Sequence, residues 1–239
     1  KALVDAETWL EHTVCEKDDL IYWAQQNDEK IHYGDGMPIC SIKFWEMDEA
    51  MHKYKGRICF RGDAVKDQDG QHAIFQELSA SPTSVHTTNS NIAYGALSGH
   101  KSTVADAIRA YVQSLLKSAH TTWVGLPKTL WPEQWHQWGM RRPMCVLKKA
   151  LYGHPDSGGH WERHLNSAIE EMGGEAIPNH PSSYWFEGSK LFLTVYVDDL
   201  LLSGPEEKHE EFWNTLRKRI DLGEGEALDR FLGRTRRFI

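Results

Sequence analysis

The chain has 239 residues, 40% of them hydrophobic and 26% charged, with 27 Lys and Arg against 34 Asp and Glu for a formal net charge of −7. This is the composition of an ordinary folded protein, long enough for one large domain or two small ones, and no apolar run approaches the roughly 18 residues of a membrane span. Nothing after Lys1 resembles a signal peptide, and Cys15, Cys40, Cys59 and Cys145 form no Cys-x-x-Cys, which argues against a zinc ribbon or a disulfide framework and suits an intracellular setting.

Ten tryptophans are many for this length, and Trp131, Trp135 and Trp138 lie in a polar stretch. The acidic balance opposes nucleic-acid binding, in which Lys and Arg neutralise phosphates. Basic residues nonetheless gather locally, at Lys53–Arg61, Arg141–Lys149, Arg217–Arg219 and Arg230–Arg237, so a basic channel on an acidic body is compatible with the totals. The absent initiator Met and the ending Arg236-Arg237-Phe238-Ile239 read as a piece of a longer polypeptide.

In chain order, residues 1–30 read as helical, with Leu10, Val14 and Leu20–Trp23 among Glu and Asp clusters. Residues 32–38, with Gly34 and Gly36, read as a loop. Residues 38–45 alternate as a strand, and Tyr54–Arg61 reads as a second strand with Lys55, Arg57 and Arg61 on one face. On spacing alone that face is equally a phosphate-binding surface or a solvated, aggregation-resistant edge. An acidic loop follows at 62–70, and residues 78–100 are open between helix and loop.

Asp106 precedes an amphipathic segment, where such a residue is commonly an N-cap. Residues 121–127 read as a strand, 131–138 as a packed loop, and 144–153 as a further strand. Trp161, Leu165, Ile169 and Met172 mark a helix over 157–172 that Gly173-Gly174 stops. Pro205 opens a last helix, with Glu206 and Glu207 first and Arg217–Arg219 last, as the helix dipole favours. His160 and His164 stand one turn apart, but the intervening Trp-Glu-Arg is not a metalloprotease pattern, and a solvated helix face is the plainer reading.

The chain is organised around Leu191–Gly204, two apolar strands meeting at Asp198-Asp199. Carboxylates are rarely placed in such a setting unless paired or metal-bound. A tight turn is the bland explanation, but hairpin turns favour Asp-Gly, and here Leu200-Leu201-Leu202 follows.

Tyr196-Val197-Asp198-Asp199 resembles the Tyr-x-Asp-Asp signature of reverse transcriptases, and the Leu-Leu-Leu-Ser-Gly tail is similar to the copia-type retrotransposon version. Other blocks resemble that family in the same order: Lys55-Gly-Arg57 with Arg61-Gly62, Asp106 with Tyr111, Leu147–Gly153 with Ser157 and Trp161, and Leu222-Gly-Glu224 with Phe231-Leu232-Gly233. Each match is short; the ordered set is specific. One departure stands out. His154-Pro155-Asp156-Ser157-Gly158 replaces the family's Leu-Lys-Gln-Ser-Pro, so a basic residue and an amide are lost and an acid is gained.

The resemblance implies an α+β fold of reverse-transcriptase-like fingers and palm, the palm an antiparallel sheet backed by helices. Its parts would be residues 1–85 and 119–155 (fingers) and 86–118 and 156–239 (palm), with thumb and RNase H absent. It implies RNA-directed DNA polymerisation on an RNA or DNA template with a DNA primer and dNTPs, in a polyprotein outside any membrane, within a cytoplasmic particle or the nucleus. Asp106, Asp198 and Asp199 would be catalytic and, with the Ala107 carbonyl, would hold two Mg²⁺ ions, Mn²⁺ being possible. Lys55, Arg57, Tyr111, Tyr152, Gly153 and Ser157 would bind nucleotide, and Phe231, Leu232 and Gly233 would contact the primer. The alternative is a catalytically inactive, polymerase-derived nucleic-acid-binding domain. A metal-dependent hydrolase would need a general base beside Asp198, and none is evident.

Overall fold

The computed structural model describes residues 2–75, 81–232 and 234–235. The chain is mixed α/β with two six-stranded sheets and divides into two compact units, Lys1–Leu78 with Ser114–His160, and Ser79–Gln113 with Trp161–Ile239.

The first unit is built on a mixed sheet. Trp9–Glu16 pairs antiparallel with Pro143–Leu147, which pairs with Thr121–Gly125, which runs parallel to Ile31–Lys43. Ile31–Lys43 continues into a long hairpin with Lys53–Phe60.

The first 30 residues are not one helix: Trp9–Glu16 is a strand between the helices Ala2–Asp5 and Lys17–Gln26. Thr13 and Val14 are β-branched, and the register slip between Leu10 and Cys15 is bridged by Thr13, whose Oγ1 donates to Leu10 O (2.7 Å) and accepts from Val146 N (2.9 Å). Residues 32–38 are strand despite their glycines, because the Phe60 ring lies where a Gly34 side chain would project, an added Cβ falling 2.6 Å from Phe60 Cζ. The Trp131–Trp138 stretch contains a short helix, Glu133–Gln137, with Trp135 buried.

The hairpin has two unlike faces. Register places Lys43, Lys53, Lys55 and Arg57 on one face and Pro38, Cys40, Ile42, Tyr54 and Ile58 on the other. Arg61 lies beyond the strand and pairs with Asp63 instead, at 3.0 Å.

The second unit is an antiparallel sheet in the order Glu226–Ala227, His100–Asp106, Asp199–Pro205, Leu191–Tyr196, Ser183–Phe186, Glu175–Ala176. Both faces of its centre are covered, so Leu200, Leu201 and Leu202 are all fully buried, and the run reads as continuously apolar rather than alternating. The helices Ser157–Glu170 and His209–Arg217 contribute Trp161, Leu165, Ile169, Phe212 and Leu216 to a core with Leu193, Val195, Leu200 and Leu202. Val85–Gly95, open between helix and loop in the sequence, is a helix capped by Ser84, whose Oγ accepts from Thr87 N at 3.1 Å. Asn91 reaches from it into the sheet and donates to Phe192 O (3.1 Å) and Leu201 O (3.2 Å).

Candidate active site

The Asp198-Asp199 pair sits where the sequence puts it, at a hairpin between Leu191–Tyr196 and Asp199–Pro205. Tyr196 and Asp199 are the last paired residues, so Val197 and Asp198 form a two-residue turn. Val197 has φ 58°, the left-handed region, which for a β-branched residue costs about 1–3 kcal/mol.

Asp106 ends the neighbouring strand and is not the N-cap of an α-helix. It lies directly opposite Asp199, and side chains so paired have Cβ atoms about 4.5–5.5 Å apart. The Ala107 amide donates to Asp198 O (2.7 Å) and the Gly223 amide to Asp106 O (2.9 Å), locking the ends of the two connections. Asp106 is thus held at one sheet end with the Asp198-Asp199 pair, from which it is distant along the chain.

Their charges oppose one another. Asp199 is pushed up to about 6, first by burial, then by Asp198 and Asp106. The Tyr111 hydroxyl is raised by burial and by Asp198, which places the half-buried ring within the field of the same carboxylate. A cleft of about 450 Å³ opens beside Asp106 and Asp199, lined also by Glu224, Glu226, Phe231 and Leu232. Leu-Gly-Glu224 marked this segment in the sequence. Glu226 had no signal; the pairing of Glu226 with Val104 brings it here.

Among the described residues no group of three or more His, Cys, Asp or Glu side chains is placed to hold a metal ion. The donor set nonetheless suits Mg²⁺, which keeps several waters and takes one or two carboxylates plus substrate phosphates. Burial raises Asp199 first and the Asp198 and Asp106 charges add to it; that added repulsion is what a divalent cation would relieve.

The remaining expected site residues divide. Lys55 and Arg57 are exposed on the cationic hairpin face, with the Arg57 guanidinium 5.9 Å from the Tyr152 ring centroid. Gly153 is exposed, with φ 89°. Ser157 is buried, and its hydroxyl donates to Leu151 O (2.8 Å) and accepts from Leu151 N (3.0 Å), closing a turn. Phe231 is buried against Leu201 and Leu228, with only part of it on the cleft, and Leu232 is half-buried there. Gly233 lies outside the described residues.

The divergent segment after Gly153 builds a buried polar cluster in the first unit. His154 Nδ1 accepts from Asp156 N at 3.2 Å, so Nε2 carries the proton and donates to Thr122 Oγ1 at 3.3 Å. Asp156 Oδ2 accepts from Ser118 Oγ at 2.6 Å. His160 is buried rather than on a solvated face, its Nε2 accepting from Lys117 N at 3.2 Å.

Burial, above all, lowers His154 from 6.5 to about 4; His160 and His32 add to this and Asp156 opposes it. The unfolded chain therefore binds more protons between those two values, so this group's contribution is constant above pH 6.5 and is lost as pH falls toward 4. The loss should be about 3 kcal/mol. Urea unfolding from pH 7 to 4 should show that decline, and His154→Gln should flatten it; an equal decline in the variant would assign it to other groups.

No family model matches the chain. Among curated proteins, the Transposon Ty1-DR1 Gag-Pol polyprotein of Saccharomyces cerevisiae is 32% identical over 95 residues, covering 37% of this chain and 5% of the polyprotein. The similarity supports a Ty1/copia-type retrotransposon origin; the match spans a small part of that relative's length. No helix among the described residues is long and apolar enough to cross a membrane.

Proposed function

We propose that this chain, retrotransposon-derived, is the fingers-and-palm part of an RNA-directed DNA polymerase within a larger polyprotein. The first unit would be the fingers and the second the palm. The observation that carries the reading is the pairing of Asp106 opposite Asp199, beside Asp198, at one end of an antiparallel sheet. Two strands and a tight turn hold the carboxylates, so little reorganisation is needed when charge develops.

Asp106 and Asp198 would be the principal ligands and Asp199 the secondary one. Bound Mg²⁺ or Mn²⁺ ions supply activation of a primer 3′-hydroxyl and neutralisation of a triphosphate. Tyr111, close enough to feel Asp198, would lie under the incoming sugar, where a ring disfavours a 2′-hydroxyl. Arg57 and Lys55 would pair with triphosphate oxygens, the guanidinium as a planar fork and the ammonium as a point charge. Tyr152 supports Arg57 through its ring face. Leu232 and the exposed part of Phe231 would meet the primer at the cleft.

A second reading, a polymerase-derived domain that binds nucleic acid without catalysis, is favoured by the net charge of −7 and by the divergent His154-Pro155-Asp156 segment after Gly153. One experiment separates the two. The full-length protein should extend a DNA primer on an RNA template with Mg²⁺, and EDTA should abolish extension. Template binding without extension in either Mg²⁺ or Mn²⁺ would establish the second reading instead.

A further inference from the structure

Of the two turn residues, only Val197 has positive φ, the pattern of a type II′ hairpin turn, whose first central position favours glycine. Valine there is strained, and something must hold it. The Val197 carbonyl accepts a hydrogen bond from Trp161 Nε1 at 2.7 Å. Trp161 is 1% exposed and belongs to the same buried core cluster as Leu165, Val195 and Leu200. The next carbonyl, Asp198 O, accepts from Ala107 N, also at 2.7 Å. Two consecutive carbonyls of the turn are therefore gripped from two elements, a helix on the sheet face and the chain leaving the Asp106 strand.

We propose that Trp161 is a positioning residue: its indole N–H holds Val197 in the left-handed conformation and so sets where the Asp198 and Asp199 side chains leave the backbone. An indole buried in a close-packed core is held in place by its neighbours, which makes it a reference for a turn that would otherwise relax. What those aspartates do rests on the polymerase reading; that Trp161 holds them does not.

A positioning role leaves a signature that plain core packing lacks. Glycine adopts positive φ without strain, so a turn carrying Val197→Gly no longer needs the Trp161 donor. Trp161→Phe keeps a buried aromatic ring and removes the N–H together with the indole's five-membered ring, a packing loss that Val197→Gly does not restore and that the double variant therefore separates from loss of the donor. In the full-length protein, Trp161→Phe should lower kcat for primer extension roughly tenfold with KM for dNTP little changed, as expected for loss of one buried donor acting on geometry. Val197→Gly should extend near the wild-type rate, and the double variant should recover most of the loss, a strong coupling in the cycle. Equal losses in both backgrounds, or no loss in either, would overturn the proposal.

Hydrogen exchange at the Ala107 amide reads the turn without any catalysis. It should quicken in Trp161→Phe and return in the double variant. If it does so while the wild-type protein extends no primer, the positioning role stands and the polymerase reading fails. If the wild type extends primers and exchange ignores Trp161, the reverse holds. Should Trp161→Phe not fold, Val197→Gly alone decides: a raised unfolding midpoint with unchanged Ala107 exchange supports a strained, held turn, and a lowered midpoint with faster exchange refutes it.

Discussion

Asp198→Asn is expected to reduce primer extension on the order of a thousandfold while leaving the fold intact. The substitution keeps the shape of the turn, and the Asp198 backbone carbonyl that accepts from Ala107 is untouched. It removes one of the charges that would balance a cation, which carries several kcal/mol of charge stabilisation, and each 1.36 kcal/mol is tenfold in rate. Stability should move the opposite way. Asp199 is already pushed up to about 6 by burial and by its two carboxylate neighbours, so removing the Asp198 charge relieves a repulsion in the metal-free protein. The gain is small after screening, on the order of 1 kcal/mol, because the site is half-open to water. Lost extension with an unchanged or raised unfolding midpoint is the combined result to look for. A variant that extends as well as wild type would remove Asp198 from the chemistry, and one that unfolds early would make it structural.

The largest loss of stability is expected in the first unit, from Gly153→Ala. Gly153 has φ 89°, and an added Cβ would lie 2.1 Å from Phe60 O. The obstruction is backbone, and that backbone is itself held, since Phe60 N donates to Tyr152 O at 2.6 Å. From the other side, a Cβ on Gly62 would fall 2.0 Å from Gly153 O, so the two glycines interlock and neither chain can retreat. Backbone strain of roughly 1–3 kcal/mol and overpacking of similar size add to about 4 kcal/mol. Gly70→Ala is the control: φ is 77° there but nothing lies within 4 Å of an added Cβ, so only strain of about 1 kcal/mol applies. Urea midpoints measured on both variants should differ clearly, and coincident midpoints would show that the Phe60 segment yields.

Local signals read well where packing and pattern agree. The helix at Ser157–Glu170 followed from apolar residues at intervals of three and four, and the hairpin of Leu191–Pro205 from two β-favouring runs around Asp198. They read badly where a distant partner supplies the ladder. Trp9–Glu16 carries enough charge to pass for a helix edge and is a strand because Pro143–Leu147 lies beside it. Residues 32–38 contain two glycines and are a strand because Phe60 fills the space beside one of them. Ser157 looked available by its place after Tyr152-Gly153, and only the fold shows its hydroxyl turned back onto Leu151.

The candidate site divides in the same manner. That Asp198 and Asp199 sit in a tight turn between apolar strands is written locally, because a strand pair and its turn are neighbours along the chain. That Asp106 faces Asp199 is not, since 93 positions separate them in the numbering and antiparallel register is set by which faces the sheet must bury. The left-handed valine, the indole that grips it and the Glu226 carboxylate at the cleft belong to the folded state as well. Residue types announce which groups are present; long-range backbone pairing and close packing choose which of them meet.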